Sequence, residues 1–280
     1  MNKQRVVLEP GSADQHYWRD LWNYRGLFWF LAWRDILVRY KQTVIGIAWS
    51  VLRPLLTLGA MALIGWLFSS SVPEGVPRLL LVATATLPWT FFSTAFSEAS
   101  GSLIANSNLL TKVYFPRMIV PASTVIVCLI DFVISFAILI VLMVVYRFMP
   151  DVRIVFLPLF LLLALITSLG TGLLIAALNV KYRDFRYVVP FMVQFGLYIS
   201  PIAFSSADIY ANPRVPEALK VVYAMNPMVG VIDGFRWSLL GGTTPLNIPG
   251  FTVSVGISLL LLFAGIRYFR RTERSFADVI

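Results

Sequence analysis

The sequence predicts an all-α membrane protein: six transmembrane helices, an N-terminal amphipathic interface helix, a short cytoplasmic helix, and short re-entrant extracytoplasmic helices after span five. Three observations predict it. The 280-residue chain is 58% hydrophobic and 13% charged, with mean hydropathy +0.78, whereas soluble domains carry about 25% charge. Charge-poor windows recur at lengths near the roughly 20 residues that a span needs. Lys and Arg collect on alternate connections, as the positive-inside bias requires.

Residues 1–25 read as a polar cytoplasmic lead-in carrying His16, Asp14 and Asp20. They lack the apolar core of a cleaved signal peptide, so the first span is expected to remain as an anchor. Residues 26–41 read as a helix. At 100° per residue, Trp29, Phe30, Trp33, Ile36, Leu37 and Tyr40 fall within an arc of roughly 120°, while Arg34, Asp35, Arg39 and Lys41 lie outside it. Such a helix lies in the headgroup plane with its rings at the acyl boundary. It serves either as a lipid anchor or as a docking helix for a partner.

The spans are expected at about 44–70, 79–104, 118–146, 154–179, 187–206 and 249–267, and the whole of 1–280 reads as a single membrane domain. With the N-terminus inside, segments 1–43, 105–117, 179–186 and 267–280 hold 16 of the 23 Lys and Arg residues. Both termini are therefore expected in the cytoplasm, and the net charge of +9 is a topology and headgroup signal rather than a nucleic-acid footprint. Between spans two and three, Asn106 can cap a short helix that Pro116 stops. This segment is a coupling element or a plain intracellular loop. Span five is interrupted at Ser200-Pro201, and Tyr187 to Ile199 covers only about 20 Å of helix. Residues 208–248 then form the long extracytoplasmic segment. Within it, Glu217 to Met225 and Met228 to Leu240 read as two short helices that dip back toward the membrane, with Asp233 and Arg236 spaced to pair on one face. Irregular backbone at that depth must be buried by protein or line a cavity.

Much chemistry is excluded. No phosphate-binding G-x-x-x-x-G-K-[ST] run occurs, no H-E-x-x-H, and no Cys/His ligand spacing. The single cysteine, Cys128, permits no intrachain disulfide. No catalytic residue and no metal site are expected. Glu98 and Asp131 sit in apolar segments, where a carboxylate is a functional candidate by default. A structural role, against an arginine such as Arg53 or across a helix contact, is expected ahead of a proton relay. Aromatics make up 14% of the chain; interfacial belts account for many, and others can line a pathway on which flat rings stack against sugars.

Four stretches carry a resemblance. They are Arg34-Asp35 with Val38-Arg39-Tyr40-Lys41-Gln42-Thr43, Gly46, Trp49 and Pro54; Asn108-Leu109-Leu110 with Lys112-Val113-Tyr114-Phe115-Pro116-Arg117; Asn179-Val180-Lys181-Tyr182-Arg183-Asp184 with Ser200-Pro201; and Asn226-Pro227 with Arg236. In this order the chain resembles the permease subunit of type-2 ABC exporters for O-antigen, capsule and teichoic acid polymers. The resemblance implies a homodimer in the bacterial inner membrane, worked by two separate P-loop ATPase subunits that bind ATP and Mg, with no cofactor in this chain. It implies that 26–42 is the interface helix, that 105–115 contains a coupling helix, and that the segment after span five forms a gate. The implied cargo is a polysaccharide on undecaprenyl diphosphate.

On this resemblance Arg34, Asp35, Arg39, Tyr40, Asn108 and Lys112 are the candidates for ATPase coupling. Arg34, Arg39, Lys181 and Arg183 are candidates for the lipid diphosphate or headgroups, with topology or docking as their competing role. Trp49, Phe115, Tyr198, Asn226, Asp233 and Arg236 are the channel and gate candidates. Two other readings stay open: the same machine with another cargo (teichoic acid, capsule, lipid or drug), and an integral membrane enzyme acting on lipid-linked sugars. The enzyme would need paired carboxylates or a His/Asp set at one membrane face, which the sequence does not offer.

Overall fold

The computed structural model describes residues 17–41, 44–68, 72–73, 75–182, 184–273 and 276, with the side chains of 41–50 outside that description. The described chain is helical, without a strand. Its helices are α1 (Tyr17–Asn23), α2 (Arg25–Lys41), α3 (Val44–Phe68), α4 (Arg78–Ala105), α5 (Ser107–Lys112), α6 (Ile119–Val145), α7 (Leu157–Lys181), α8 (Phe185–Ile199), α9 (Ser206–Ala211), α10 (Glu217–Ala224), α11 (Pro227–Leu239) and α12 (Ile248–Glu273). A 3-10 turn, Val152–Phe156, leads into α7. Among the described residues, four helices are long and apolar enough to cross a membrane: α4, α6, α7 with its lead-in turn, and α12. Val51–Leu67 within α3 and Phe185–Ile199 are shorter apolar helices.

The bundle is built around α4, which packs on α6 and α7; α12 closes on the far side of α7, and α11 wedges between α4, α7 and α12. Of the four long apolar windows, that of α4 is 72% buried and the others are 22–33% buried. α4 is also the least apolar of the four, and only 28% of the window of α6, the most apolar, is buried. A soluble core would reverse this order. Here the greasiest surfaces point outward, as they do where lipid is the solvent.

Small residues set the α7–α12 contact. A Cβ on Gly170 would come within 2.5 Å of the Leu262 backbone nitrogen, and one on Gly265 within 2.2 Å of the Gly170 carbonyl. Just along the same seam, the Thr167 and Ser258 hydroxyls are 2.8 Å apart. Helices in lipid associate through such close backbone approach and polar contacts, since apolar contact alone gains little over lipid. On the other side of α7, the Asn179 amide donates to the Ser100 carbonyl of α4 at 2.8 Å.

The fifth apolar segment ends at Ile199, short of the expected 206. Residues 200–205 are irregular, with Ser200, Pro201, Ile202 and Ser205 buried. The two expected short helices are present as α10 and α11, and a third, α9, precedes them; at six residues it is too brief to show a hydrophobic period. Asn226 and Pro227 start α11 as a cap followed by a proline at the first turn, with Asn226 Oδ1 accepting from the Met228 backbone N–H at 3.0 Å.

Candidate functional site

The site lies where α2 runs along α6 and reaches α4. Its outward face carries Trp29, Phe30 and Trp33, each more than 60% exposed, with Trp18 and Trp22 of α1 also outside. Leu31 and Ala32 are buried, and the charged flank turns toward the bundle. Arg34 and Arg39, which lie outside the aromatic arc, are thus engaged with protein. The Arg34 guanidinium donates to Asp35 Oδ1 at 2.7 Å and to Asn106 Oδ1 at 2.8 Å. Asn106 was expected to cap α5 with its side chain; instead Nδ2 donates back to the Ser102 carbonyl at 2.9 Å while Oδ1 receives Arg34. This residue therefore ties the interface helix to the α4–α5 junction, a role that capping preference alone gave no sign of.

One turn further along, Arg39 bridges two helices. It donates to Asp131 of α6 at 2.7 Å and to Glu98 of α4 at 2.8 Å, and the Tyr40 hydroxyl donates to the other Asp131 oxygen at 2.5 Å. Both isolated carboxylates thus find the same arginine; of the two partners open for Asp131, it takes the contact across a helix interface and not Arg53. Burial, then the hydrogen bond to Asp131, push the Tyr40 phenol above its ordinary range, so it stays a protonated donor. Three segments are thus pinned at one point by charge-assisted hydrogen bonds.

α5 sits at the same end of the bundle. Leu110 is its buried anchor, while Asn108, Thr111 and Lys112 are exposed, leaving a polar outward face. Phe115 does not face a pathway: at 4% exposure it packs in a second core cluster with Tyr17, Leu31, Leu110 and Phe269. The Arg117 backbone N–H donates to Glu273 Oε1 at 2.6 Å, which ties this segment to the end of α12. Lys181 is exposed beside the Tyr182 ring, 5.0 Å from its centre. Arg183 lies outside the described residues, as does the side chain of Trp49.

The gate candidates are at the opposite end. Tyr198 continues an exposed stripe of α8 formed with Tyr187, Phe191 and Phe195, the last two stacked at 5.7 Å. Asp233 and Arg236 do not pair with each other. Asp233 accepts from the Ser206 hydroxyl at 2.6 Å. Arg236, 1% exposed, donates to the carbonyls of Leu81 at 3.2 Å, Phe204 at 2.8 Å and Ile202 at 3.0 Å. The arginine supplies the donors that the broken backbone after α8 lacks. Asn226 adds a contact of its Nδ2 to the Ser200 hydroxyl at 3.1 Å. The expected requirement that irregular backbone be satisfied by protein is met by this one side chain and its neighbours.

Among the described residues no group of three or more His, Cys, Asp and Glu could hold a metal. The sequence profile of the ABC-2 type transporter family matches residues 26–240. The chain is 28% identical over 263 residues to the O-antigen export system permease protein RfbA of Myxococcus xanthus, covering 94% of this chain and 98% of that protein. It is 26% identical over 250 residues to the protein of the same name from Klebsiella pneumoniae, covering 88% and 92% respectively.

Proposed function

Because the chain belongs to the ABC-2 type transporter family, we propose that it is the channel-forming subunit of an exporter that moves polysaccharide of the O-antigen class, carried on undecaprenyl diphosphate, across the inner membrane. In this reading the chain hydrolyses no ATP. Two P-loop ATPase subunits bind ATP and Mg beneath a permease homodimer, and their closure pushes on α2 and α5. All six apolar segments cross, both termini are cytoplasmic, and α9–α11 form the gate on the far side.

The observation that carries the mechanism is the Arg39 bridge. A force applied from outside the bundle needs a stiff route into it, and α2 is joined to α4 and α6 by hydrogen bonds of 2.7–2.8 Å between charged groups. The Arg34–Asn106 bond joins the same helix to the start of α5, so the two elements exposed for docking move together. The exposed rings of α8 offer flat apolar faces on which sugars stack without a fixed register. The near full-length similarity to two O-antigen export permeases supports the cargo class.

The test is genetic and biochemical. Cells lacking the chain accumulate lipid-linked glycan on the cytoplasmic side, and the purified chain alone shows no ATPase activity until its ATPase subunits are added. Normal glycan surface display in the deletion strain, or robust hydrolysis by the chain alone, overturns the assignment.

A further inference from the structure

A cavity of about 320 Å³ opens between α2, α3, α4 and α6, lined by Arg39, Tyr40, Arg53, Thr94, Glu98 and Asp131 among others. It opens to the surface of the bundle at Arg53 and Glu98, which are exposed. At 1.5 Å per residue, Glu98 lies about 10 Å along α4 from Ala105, and Asp131 about 18 Å along α6 from Ile119. These are the ends that flank α5. The cavity volume is within the usual range for small-molecule sites, about 300–1,000 Å³.

Its polar groups are unequally used. Arg39 is shared by two carboxylates, and Tyr40 donates to one of them. The Thr90 and Ser135 hydroxyls donate to carbonyls of their own helices. Arg53 and Thr94 differ: the Arg53 guanidinium and the Thr94 hydroxyl make no hydrogen bond or ion pair with any described residue. An arginine inside an apolar helix is costly and marks a functional position. Its planar fork of donors matches a phosphate better than any other side chain does. Glu98 is the carboxylate most easily moved, its side chain being 50% exposed against 29% for Asp131.

We propose that this cavity binds the phosphate-bearing end of the cargo lipid through Arg53 and Thr94, the anion displacing Glu98 from Arg39. The assignment rests on the export function proposed above and specifies where that cargo is held. It also shifts the diphosphate site away from Arg34 and Arg39 as first candidates, since both are already engaged, to an arginine that stands within the first apolar segment. Displacement of Glu98 frees α4 from the Arg39 bridge while α6 stays attached, so occupancy of the cavity is registered at the interface helix.

The test uses the full chain in phosphatidylcholine nanodiscs and radiolabelled geranylgeranyl diphosphate as the probe. R53Q weakens binding about ten- to a hundredfold, the loss of a charge-assisted contact. R53K recovers part of it, T94V costs a few-fold, and E98Q tightens binding because the competing carboxylate is gone. All four variants must be recovered at wild-type yield, and the opposite signs expected for R53Q and E98Q separate a binding role from general destabilisation. Unchanged binding in R53Q, or weaker binding in E98Q, overturns the proposal. Equal competition by phosphatidylglycerol assigns the cavity to bulk anionic lipid, and equal competition by inorganic pyrophosphate assigns it to a free anion; either result overturns the cargo-lipid assignment. If R53Q binds normally while the deletion strain still accumulates lipid-linked glycan, this site is wrong and the export function stands. Normal export in the deletion strain removes both.

Discussion

Arg236 illustrates how one side chain can carry a structural break. Its guanidinium serves three carbonyls from two different segments, and it is 1% exposed. Arg236→Met removes every donor at once and strips the Ile202 and Phe204 carbonyls of this partner, at about 1–3 kcal/mol for each that finds no water, while the Leu81 carbonyl keeps the Thr84 hydroxyl. Arg236→Lys does not rescue it, because an ammonium on a flexible stem cannot reach three divergent acceptors in a planar fan. Thermal unfolding of the purified chain measures both, and equal stability of the lysine variant and wild type would contradict the geometry. The Arg39 bridge gives a second residue-scale expectation. Asp131→Asn costs about 1–3 kcal/mol, the range for hydrogen bonds to charged groups. Glu98→Gln costs about 1 kcal/mol or less, as its carboxylate is half exposed and solvent-screened. A double-mutant cycle with Arg39→Gln shows coupling larger for Asp131 than for Glu98. That these carboxylates would seek a partner was legible, because a lone acid in an apolar segment is costly unless it finds a base. Which base it found was not. Arg53 and Arg39 are both plausible by sequence distance, and only the path of α2 along α6 decides between them.

At the scale of elements, the positions of helices were legible wherever a long apolar run ended at a charge or a proline. The expected spans at 79–104, 118–146 and 154–179 correspond to α4, α6 and α7 within a few residues. The break at Ser200-Pro201 was legible too, since a proline disfavours helix at the preceding residue, although Pro54, Pro88 and Pro190 are accommodated inside α3, α4 and α8. What hydrophobicity could not reveal was the interior of the bundle. α4 is the buried helix yet the least apolar of the long four, so ranking segments by greasiness points to the wrong centre. Burial in lipid follows residue size and polar contacts instead, and the α7–α12 seam shows it. Gly265→Leu places a side chain where a Cβ already meets the Gly170 carbonyl at 2.2 Å. The expected result is separation of the two helices, a loss of at least about 1–3 kcal/mol, and a complex that no longer survives detergent extraction. Gly256→Leu on the same helix is the control, since nothing lies within 4 Å of its added Cβ. Equal behaviour of the two variants in size-exclusion chromatography and thermal unfolding would remove Gly265 from the contact. Both glycines stand in an apolar run, so the sequence does not distinguish them; only their position on the packed or open side does.

For the whole molecule, the undecided element is α8. At fifteen residues it spans about 22 Å, short of the roughly 30 Å hydrocarbon layer. On the proposed six-crossing topology the irregular stretch 200–205 supplies the rest of the crossing, and it is equipped to do so, being largely buried and having Ile202 and Phe204 carbonyls satisfied by Arg236. In that reading α8 is a complete crossing built from a short helix and a protein-lined tail. The consequence is parity. Between Asn108 and Arg214 lie α6, α7 and α8; three crossings put these exposed residues on opposite faces, whereas two put them on the same face. The basic residues favour opposite faces, with the α5 side cytoplasmic. Cys128 donates to the Thr124 carbonyl at 3.3 Å, a contact that a serine hydroxyl keeps, so a Cys128→Ser background retains that bond and leaves a chain free of thiols. In that background, Asn108→Cys reacts with a membrane-impermeant maleimide only after spheroplasts are opened, and Arg214→Cys reacts in intact spheroplasts. Labelling of both from one side would leave α8 as a re-entrant hairpin and undo the six-crossing topology. Labelling with the faces exchanged would keep the six crossings but place α2 and α5 away from any cytoplasmic ATPase. The same assay on Arg236→Met links the scales: if that arginine completes the crossing, its loss exposes position 203, tested as Ala203→Cys, to the reagent from the outer face.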